Sequence, residues 1–333
     1  MKSKFVVANV GPDQRKGVPE IWATLPDYGE LEYREMTHFK NDREAFFREL
    51  EDVDVLVCGL EKIDAEIMER GKNLKAVMKR GVGYDNFDVE AATKHGIHVV
   101  IGVGNHFSVA EATITLMLAA ARNLPYWNKN TVRENKTLGI EMVGKTLGLV
   151  GYGRVGSHVA QIATGLGMNI TIYDPYIPEA ARANIPYKFI ELEQLLRESD
   201  VISLHCPLTP GTREMISMEQ LKMMKSSAIL VNTARGGLMN EADVAQAVEE
   251  GIIFAAGVDV LTDENDVSSS PLQKVDRVIV TPHKLMHTAE VLQRTIGNLR
   301  DSCVQIYNGT VPVTSMNRNQ IDPALDRILN SKK

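Results

Sequence analysis

The sequence predicts an α/β chain of two doubly wound parallel-sheet domains, on three observations: its length, a strand–helix alternation that runs from end to end, and one break in that alternation. At 333 residues the chain exceeds one ordinary core, and domains of roughly 100–200 residues make two the natural count. Short apolar runs occur at Phe5–Val10, 53–57, 74–78 and 97–101, and again at Thr146–Val150, 170–173, Val201–Leu204, 228–231, 255–260 and Val278–Val280. Each is near-continuously apolar, as a strand buried on both faces must be. Between them lie stretches such as 191–198 and 241–250, charged on one face and apolar on the other. Such alternation predicts parallel sheets covered by helices. At the break, Ser108-Val109-Ala110-Glu111 has the Ser-x-x-Glu pattern of a helix capping box; a helical run to about Arg122 and a polar connection over 123–145 follow. A last helical stretch over about 288–307 returns the chain to its first half. The expected domains are 1–103 with 287–333, and 104–286.

Composition narrows the classes. Hydrophobic residues make up 44% and charged residues 24%, the balance of a globular chain in water. A net charge of -6 offers no basic face to nucleic acid or anionic lipid, so an acidic substrate must be held by a local cation. Met1-Lys2-Ser3-Lys4 leads only into the short run Phe5–Val10, unlike a signal peptide. No run approaches the ~18 apolar residues of a membrane span. Cys58, Cys206 and Cys303 are odd in number and scattered, which predicts a reducing, cytoplasmic setting and no disulfides. No Cys-x-x-Cys or His-Glu-x-x-His signals a metal site.

After the run Thr146–Val150 comes Gly151-Tyr152-Gly153-Arg154-Val155-Gly156, opening a helical stretch over 157–164. Gly151 permits the tight turn, Gly153 lets backbone approach a pyrophosphate, and Gly156 lets helix pack on strand. The helix N-terminus offers N–H groups to the anion. The next run ends at Asp174, at about the spacing from which an acid accepts hydrogen bonds from the adenosine ribose. That acid repels a 2′-phosphate, so the expected cofactor is NAD, not NADP.

Unusual polar residues cluster where ligands bind an open parallel sheet, beyond the carboxyl ends of its strands. They are His205-Cys206-Pro207-Leu208-Thr209, Asn232-Thr233-Ala234-Arg235-Gly236-Gly237, Asp259 and Thr281-Pro282-His283. Taken alone, His205 reads as a packing or hydrogen-bonding residue, Arg235 as a helix cap and Asp259 as the start of a turn. Arg235, Glu264 and His283 form the constellation to weigh. Oxidising an alcohol needs a base for the hydroxyl proton, and histidine exchanges protons near neutral pH. A carboxylate beside it fixes the tautomer. An arginine fork binds a carboxylate at two points, which lysine cannot do. These types suffice for a 2-hydroxy acid whose hydride passes to NAD.

With these motifs in order, joined by Arg80-Gly81-Val82-Gly83-Tyr84-Asp85-Asn86, Ser108-Val109-Ala110-Glu111, Gly257-Val258-Asp259-Val260 and Glu264, the chain resembles the D-isomer-specific 2-hydroxyacid dehydrogenases over nearly its whole length. The resemblance implies a flavodoxin-like substrate domain interrupted by an inserted Rossmann NAD-binding domain. It implies that Arg235 binds the substrate carboxylate, His283 exchanges the proton and Glu264 pairs with His283. It assigns the backbone near Val82 and Gly83 to the carboxylate, and Arg154 and Val155 to the pyrophosphate, beside Gly151, Gly153 and Gly156. His205, Cys206, Pro207 and Thr212 fall in the cofactor groove; Thr233, Ala234 and Asp259 face the nicotinamide. It also implies a homodimer joined through 104–145, acting on a small 2-hydroxy or 2-keto acid.

Departures bear on the substrate. Asn265 stands where the family usually has proline, and Lys284-Leu285-Met286-His287 replaces the common Ile-Gly-Gly. His287 reads as capping the returning helix; Lys284 either caps it or shapes the substrate pocket. Phosphoglycerate members carry arginine for the phosphate in the loop where this chain has Cys58-Gly59-Leu60-Glu61-Lys62. Only Lys62 helps there and Glu61 opposes it, so D-3-phosphoglycerate dehydrogenase is an alternative and not the favoured reading. Glu264 argues against formate chemistry and Val82 against phosphite. An NAD-sensing, corepressor-like binding protein is the alternative of another class; the full catalytic set argues against it.

Overall fold

The computed structural model describes residues 4–11, 15–129, 138–264 and 266–332. Asn265, and residues 130–137 of the segment expected to join a dimer, lie outside the described residues. The chain divides into two compact units, Met1–Asn105 with Thr288–Lys333, and His106–His287.

The first unit is built on a parallel sheet of β1 (Phe5–Val10), β2 (Leu31–Met36), β3 (Val55–Cys58), β4 (Ala76–Lys79) and β5 (His98–Ile101). Their order, β2-β1-β3-β4-β5, is the flavodoxin-like one. Strand β1 shows why its run is near-continuously apolar. Val6, Ala8 and Val10 face a core with Phe46, Leu56 and Ile67, while Phe5 and Val7 face another with Trp22, Leu299 and Cys303. Successive side chains point to opposite faces, so a strand covered on both sides leaves little room for polar residues; buried Asn9 is the exception in β1. Strand β2 was not legible in the sequence. Its Leu-Glu-Tyr-Arg-Glu-Met lies at the sheet edge, bonded only to β1, and an edge strand tolerates charge that a central one excludes. The helix Ala289–Tyr307 is capped by Thr288, whose hydroxyl accepts from the Val291 N–H at 3.2 Å. Buried His98 anchors the C-terminal segment: its Nδ1 lies 2.9 Å from Ser315 Oγ.

The second unit holds β6 (Thr146–Val150), β7 (Asn169–Tyr173), β8 (Lys188–Phe189), β9 (Val201–Leu204), β10 (Ile229–Asn232), β11 (Ala255–Val258) and β12 (Val278–Val280). All pairs are parallel, in the order β12-β11-β10-β9-β6-β7-β8. Counted within the unit this is the Rossmann order, with a further strand at one edge. The order reverses between β6 and β9, the place where such sheets open a ligand crevice. The two-residue edge strand β8 is too short to leave a pattern.

The capping expectation at Ser108 is corrected. The helix His106–Ala121 begins before Ser108, so Ser108 is not its cap. The Ser108 hydroxyl lies inside the first turn and donates to the Met286 carbonyl at 2.9 Å. The helix packs on β10 and β11, and Gly257 makes room for it: a Cβ there would come 2.9 Å from Leu116 Cβ. No described helix is long and apolar enough to cross a membrane.

Candidate active and cofactor site

The β6 loop is closed by backbone contacts that only glycine permits. Gly151 has φ 101°, a left-handed conformation costly for other residues, and a Cβ there would lie 2.8 Å from the Cys206 nitrogen. A Cβ on Gly156 would lie 2.3 Å from the Gly151 oxygen. The His205 N–H donates to the Val150 carbonyl at 2.8 Å, which joins the β6 and β9 loops at the reversal. Gly153 differs: a Cβ there would meet nothing within 4 Å. It is the N-cap of the helix Arg154–Gly165 and supplies no side-chain cap, so the first-turn N–H groups, with Arg154 exposed and Val155 half-buried beside them, suit an anion. Asp174 accepts from the Tyr152 N–H at 2.9 Å through Oδ2 and from the Tyr176 N–H at 3.0 Å through Oδ1. A carboxylate has about four acceptor sites, so both oxygens keep capacity for ribose hydroxyls. Open space at Gly153, an uncapped helix and this anchored acid fit a dinucleotide.

The β9 loop is held by its own side chains. His205 Nε2 lies 2.9 Å from Ser203 Oγ, and burial pushes the imidazole down to about 4. Burial pushes the Cys206 thiol up to about 11, with Sγ 3.6 Å from Met215 Sδ, the environment of a packing thiol. The Thr212 hydroxyl donates to the Pro207 carbonyl at 2.7 Å and accepts from the Thr209 N–H at 2.8 Å, so it shapes the turn.

The His205 shift sets a pH dependence. The unfolded imidazole takes up a proton below pH ~6.5, and the folded one only near 4. As the pH falls between these limits the unfolded state binds more protons, and stability drops by roughly 1 kcal/mol per pH unit. Denaturant titrations are expected to show this slope in the wild type and a shallower one in His205→Gln. Parallel slopes would place His205 in water in the folded state.

Three loops carry the polar constellation. At the end of β10, fully buried Asn232 accepts from the Ala234 N–H at 3.0 Å and donates to the Arg235 carbonyl at 2.9 Å, bracing the turn that carries Arg235. Arg235 donates from Nη1 to the Ala234 carbonyl at 2.7 Å, and Thr233 Oγ1 lies 2.8 Å from Thr113 Oγ1. Gly236 presses this turn onto the loop after β11: a Cβ there would lie 2.0 Å from the Leu261 carbonyl carbon. That loop carries Glu264, whose Oε1 lies 2.8 Å from His283 Nδ1. The two side chains are 32% and 27% exposed, half-open as proton-transfer groups must be. His283 has φ 54°, a conformation costing a non-glycine residue about 1–2 kcal/mol, and such strain gathers at functional sites. Asp259, 3% exposed, holds it there: Oδ1 accepts from Thr281 Oγ1 at 2.6 Å and from the Lys284 N–H at 3.1 Å.

Sequence reading placed Asn232 at a strand end without giving it a role, and did not single out Thr113 or the fastening role of Asp259. Their partners are distant in sequence or backbone atoms, and neither leaves a motif. The expectation that His287 caps the returning helix is corrected: Thr288 is the cap, because its hydroxyl is the group that reaches the Val291 N–H, and Lys284 and His287 lie exposed in a turn closed by the His287 N–H on the Lys284 carbonyl at 2.9 Å. Val82 and Gly83 belong to the first unit, in the turn after β4, where the Gly81 N–H donates to the Lys79 carbonyl at 2.8 Å. Glu61 turns back onto its own loop and accepts from the Gly59 N–H at 2.7 Å.

The Rossmann sheet, the glycine cradle and the anchored acid define a dinucleotide-binding α/β protein. The sequence model of the D-isomer specific 2-hydroxyacid dehydrogenase NAD binding domain matches residues 114–284. The glyoxylate reductase of Korarchaeum cryptofilum is 35% identical over 91% of this chain and 97% of its own length. The D-3-phosphoglycerate dehydrogenase of Methanocaldococcus jannaschii is 42% identical over 77% of this chain, and this match spans only 50% of that protein. The chain thus spans about half the length of the phosphoglycerate dehydrogenases it matches. Among solved structures, the TT0316 protein of Thermus thermophilus superposes with a TM-score of 0.81 at 31% identity, covering 93% of this chain and 99% of that one. The chain belongs to the D-isomer-specific 2-hydroxyacid dehydrogenase family, and its second unit carries the family's NAD-binding domain.

Proposed function

We propose that the protein interconverts a small 2-keto acid and the corresponding D-2-hydroxy acid with NAD. The observation that carries this is the 2.8 Å contact between His283 and Glu264, on the unit that holds the glycine cradle and Arg235. NAD, when bound, supplies or accepts the hydride. Glu264 on Nδ1 fixes the imidazole tautomer and leaves Nε2 to the substrate. His283 takes the hydroxyl proton during oxidation and returns it during reduction. Arg235 clamps the carboxylate; Val82 and Gly83 are assigned to substrate binding as well. Gly151, Gly153, Arg154, Val155 and Gly156 hold the pyrophosphate, Asp174 the ribose. His205, Cys206, Pro207 and Thr212 line the groove, with Thr233 and Ala234 toward the nicotinamide. Asp259 acts through the His283 turn. The protein works in the cytoplasm as a homodimer joined through 104–145. Exposed Phe107, Leu118, Leu124, Leu138 and Val143 support that joint.

The test is NADH oxidation over a panel of 2-keto acids: glyoxylate, pyruvate, hydroxypyruvate, 2-ketoglutarate and phosphohydroxypyruvate, with NADPH as control. Turnover of one or two unphosphorylated acids with NADH is the expected result. Preference for phosphohydroxypyruvate would favour the phosphoglycerate reading, which the Methanocaldococcus relative's name supports. Tight NADH binding with silence across the panel would sink the enzymatic reading.

A further inference from the structure

Glu264 sits on a chain excursion with little burial of its own. Thr262, Asp263, Glu264, Asp266, Ser268 and Ser269 are exposed, while Val267 is half-buried against the core and Ser270 is buried. Glu264 itself is not held by core packing. Both ends of the excursion are tied to one carboxylate. Glu241 accepts from the Thr262 N–H at 2.6 Å through Oε1 and from the Ser270 hydroxyl at 2.5 Å through Oε2. Glu241 stands on a packed helix. It is the first residue of the helix Glu241–Glu249, which is capped by Asn240 and buries Val244, Ala245, Ala247 and Val248. The short turn Gly236–Leu238 links Arg235 to that helix.

We propose that Glu241 is a positioning residue that holds the 262–270 excursion so that Glu264 meets His283. The proposal rests on the acid–base reading above. Its geometry joins the Arg235 arm to the Glu264 arm through charge-assisted bonds, which are stronger than neutral ones. Loss of the carboxylate lets the excursion drift, and a misplacement of about 1 Å can cost as much as 100-fold in rate.

The experiment is a double-mutant cycle, read with NADH and either glyoxylate or hydroxypyruvate, together with amide hydrogen exchange. Glu241→Ala is expected to lower kcat roughly tenfold or more, keep the wild-type Kd for NADH, and lose protection of the Thr262 amide. In a Glu264→Gln background the same change should cost less than about twofold, because groups acting through one another are not additive. Glu241→Gln keeps an oxygen for Thr262 and turns an amide N–H toward Ser270, so it should retain most activity and the protected amide. Should Glu241→Ala fail to fold, Ser270→Ala removes one tie only, with a smaller loss of kcat that also vanishes in the Glu264→Gln background. Unchanged kcat, an unchanged Thr262 amide, or equal losses in both backgrounds would overturn the proposal. Wild-type turnover in Glu264→Gln alone would instead remove the acid–base reading beneath it.

Discussion

His283→Ala is expected to lower turnover by roughly 100- to 10,000-fold, the usual contribution of a positioned general acid–base, while NADH binds as in the wild type. The two effects separate because the side chain lies outside the cradle. Gly151, Gly153, Gly156 and Asp174 surround the β6 and β7 ends, whereas His283 follows β12 at the opposite edge of the sheet. Nothing in the substitution disturbs the fastening of the turn, since Asp259 bonds Thr281 and the Lys284 backbone, not the imidazole. Alanine in a left-handed conformation loses some local stability, so NADH titration in the variant is the control. Turnover within twofold of the wild type would remove His283 from proton transfer.

Arg235→Lys is expected to abolish saturation by substrate and to reduce kcat/KM by about 100-fold or more. Hydrogen bonds to charged groups contribute about 1.5–3 kcal/mol each, and lysine replaces a planar two-point fork with a single mobile ammonium. The turn should survive, because Asn232 braces it through backbone atoms of Ala234 and Arg235. Steady-state curves against keto-acid concentration give the answer. A variant that saturates at the wild-type concentration would show that the carboxylate is held elsewhere.

The sequence was most informative where chemistry demands a residue type at a fixed spacing. Gly151, Gly153 and Gly156 could be read because each answers a backbone requirement, and a Cβ at two of them would indeed collide. The central strands could be read because burial on both faces leaves few polar positions. The edge strands β2 and β8 could not, since one has charged positions and the other two residues. The Ser108 pattern misled for a related reason. Ser-x-x-Glu states that a cap is available, but the Met286 carbonyl, far along the chain, is what the hydroxyl meets.

By itself, the sequence determined the α/β class and pointed to the glycine loop and to Arg235, Glu264 and His283 as candidates, because local spacing and strand ends carry that information. Only the tertiary structure decided that Glu264 meets His283 at 2.8 Å, that Asp259 fastens the His283 turn, and that one carboxylate on Glu241 ties both ends of the Glu264 loop. Those bonds join residues 19 to 29 positions apart, and one of them goes to a backbone N–H, which nearly every residue has. Such pairings arise from how strands order in a sheet and leave no trace in local spacing.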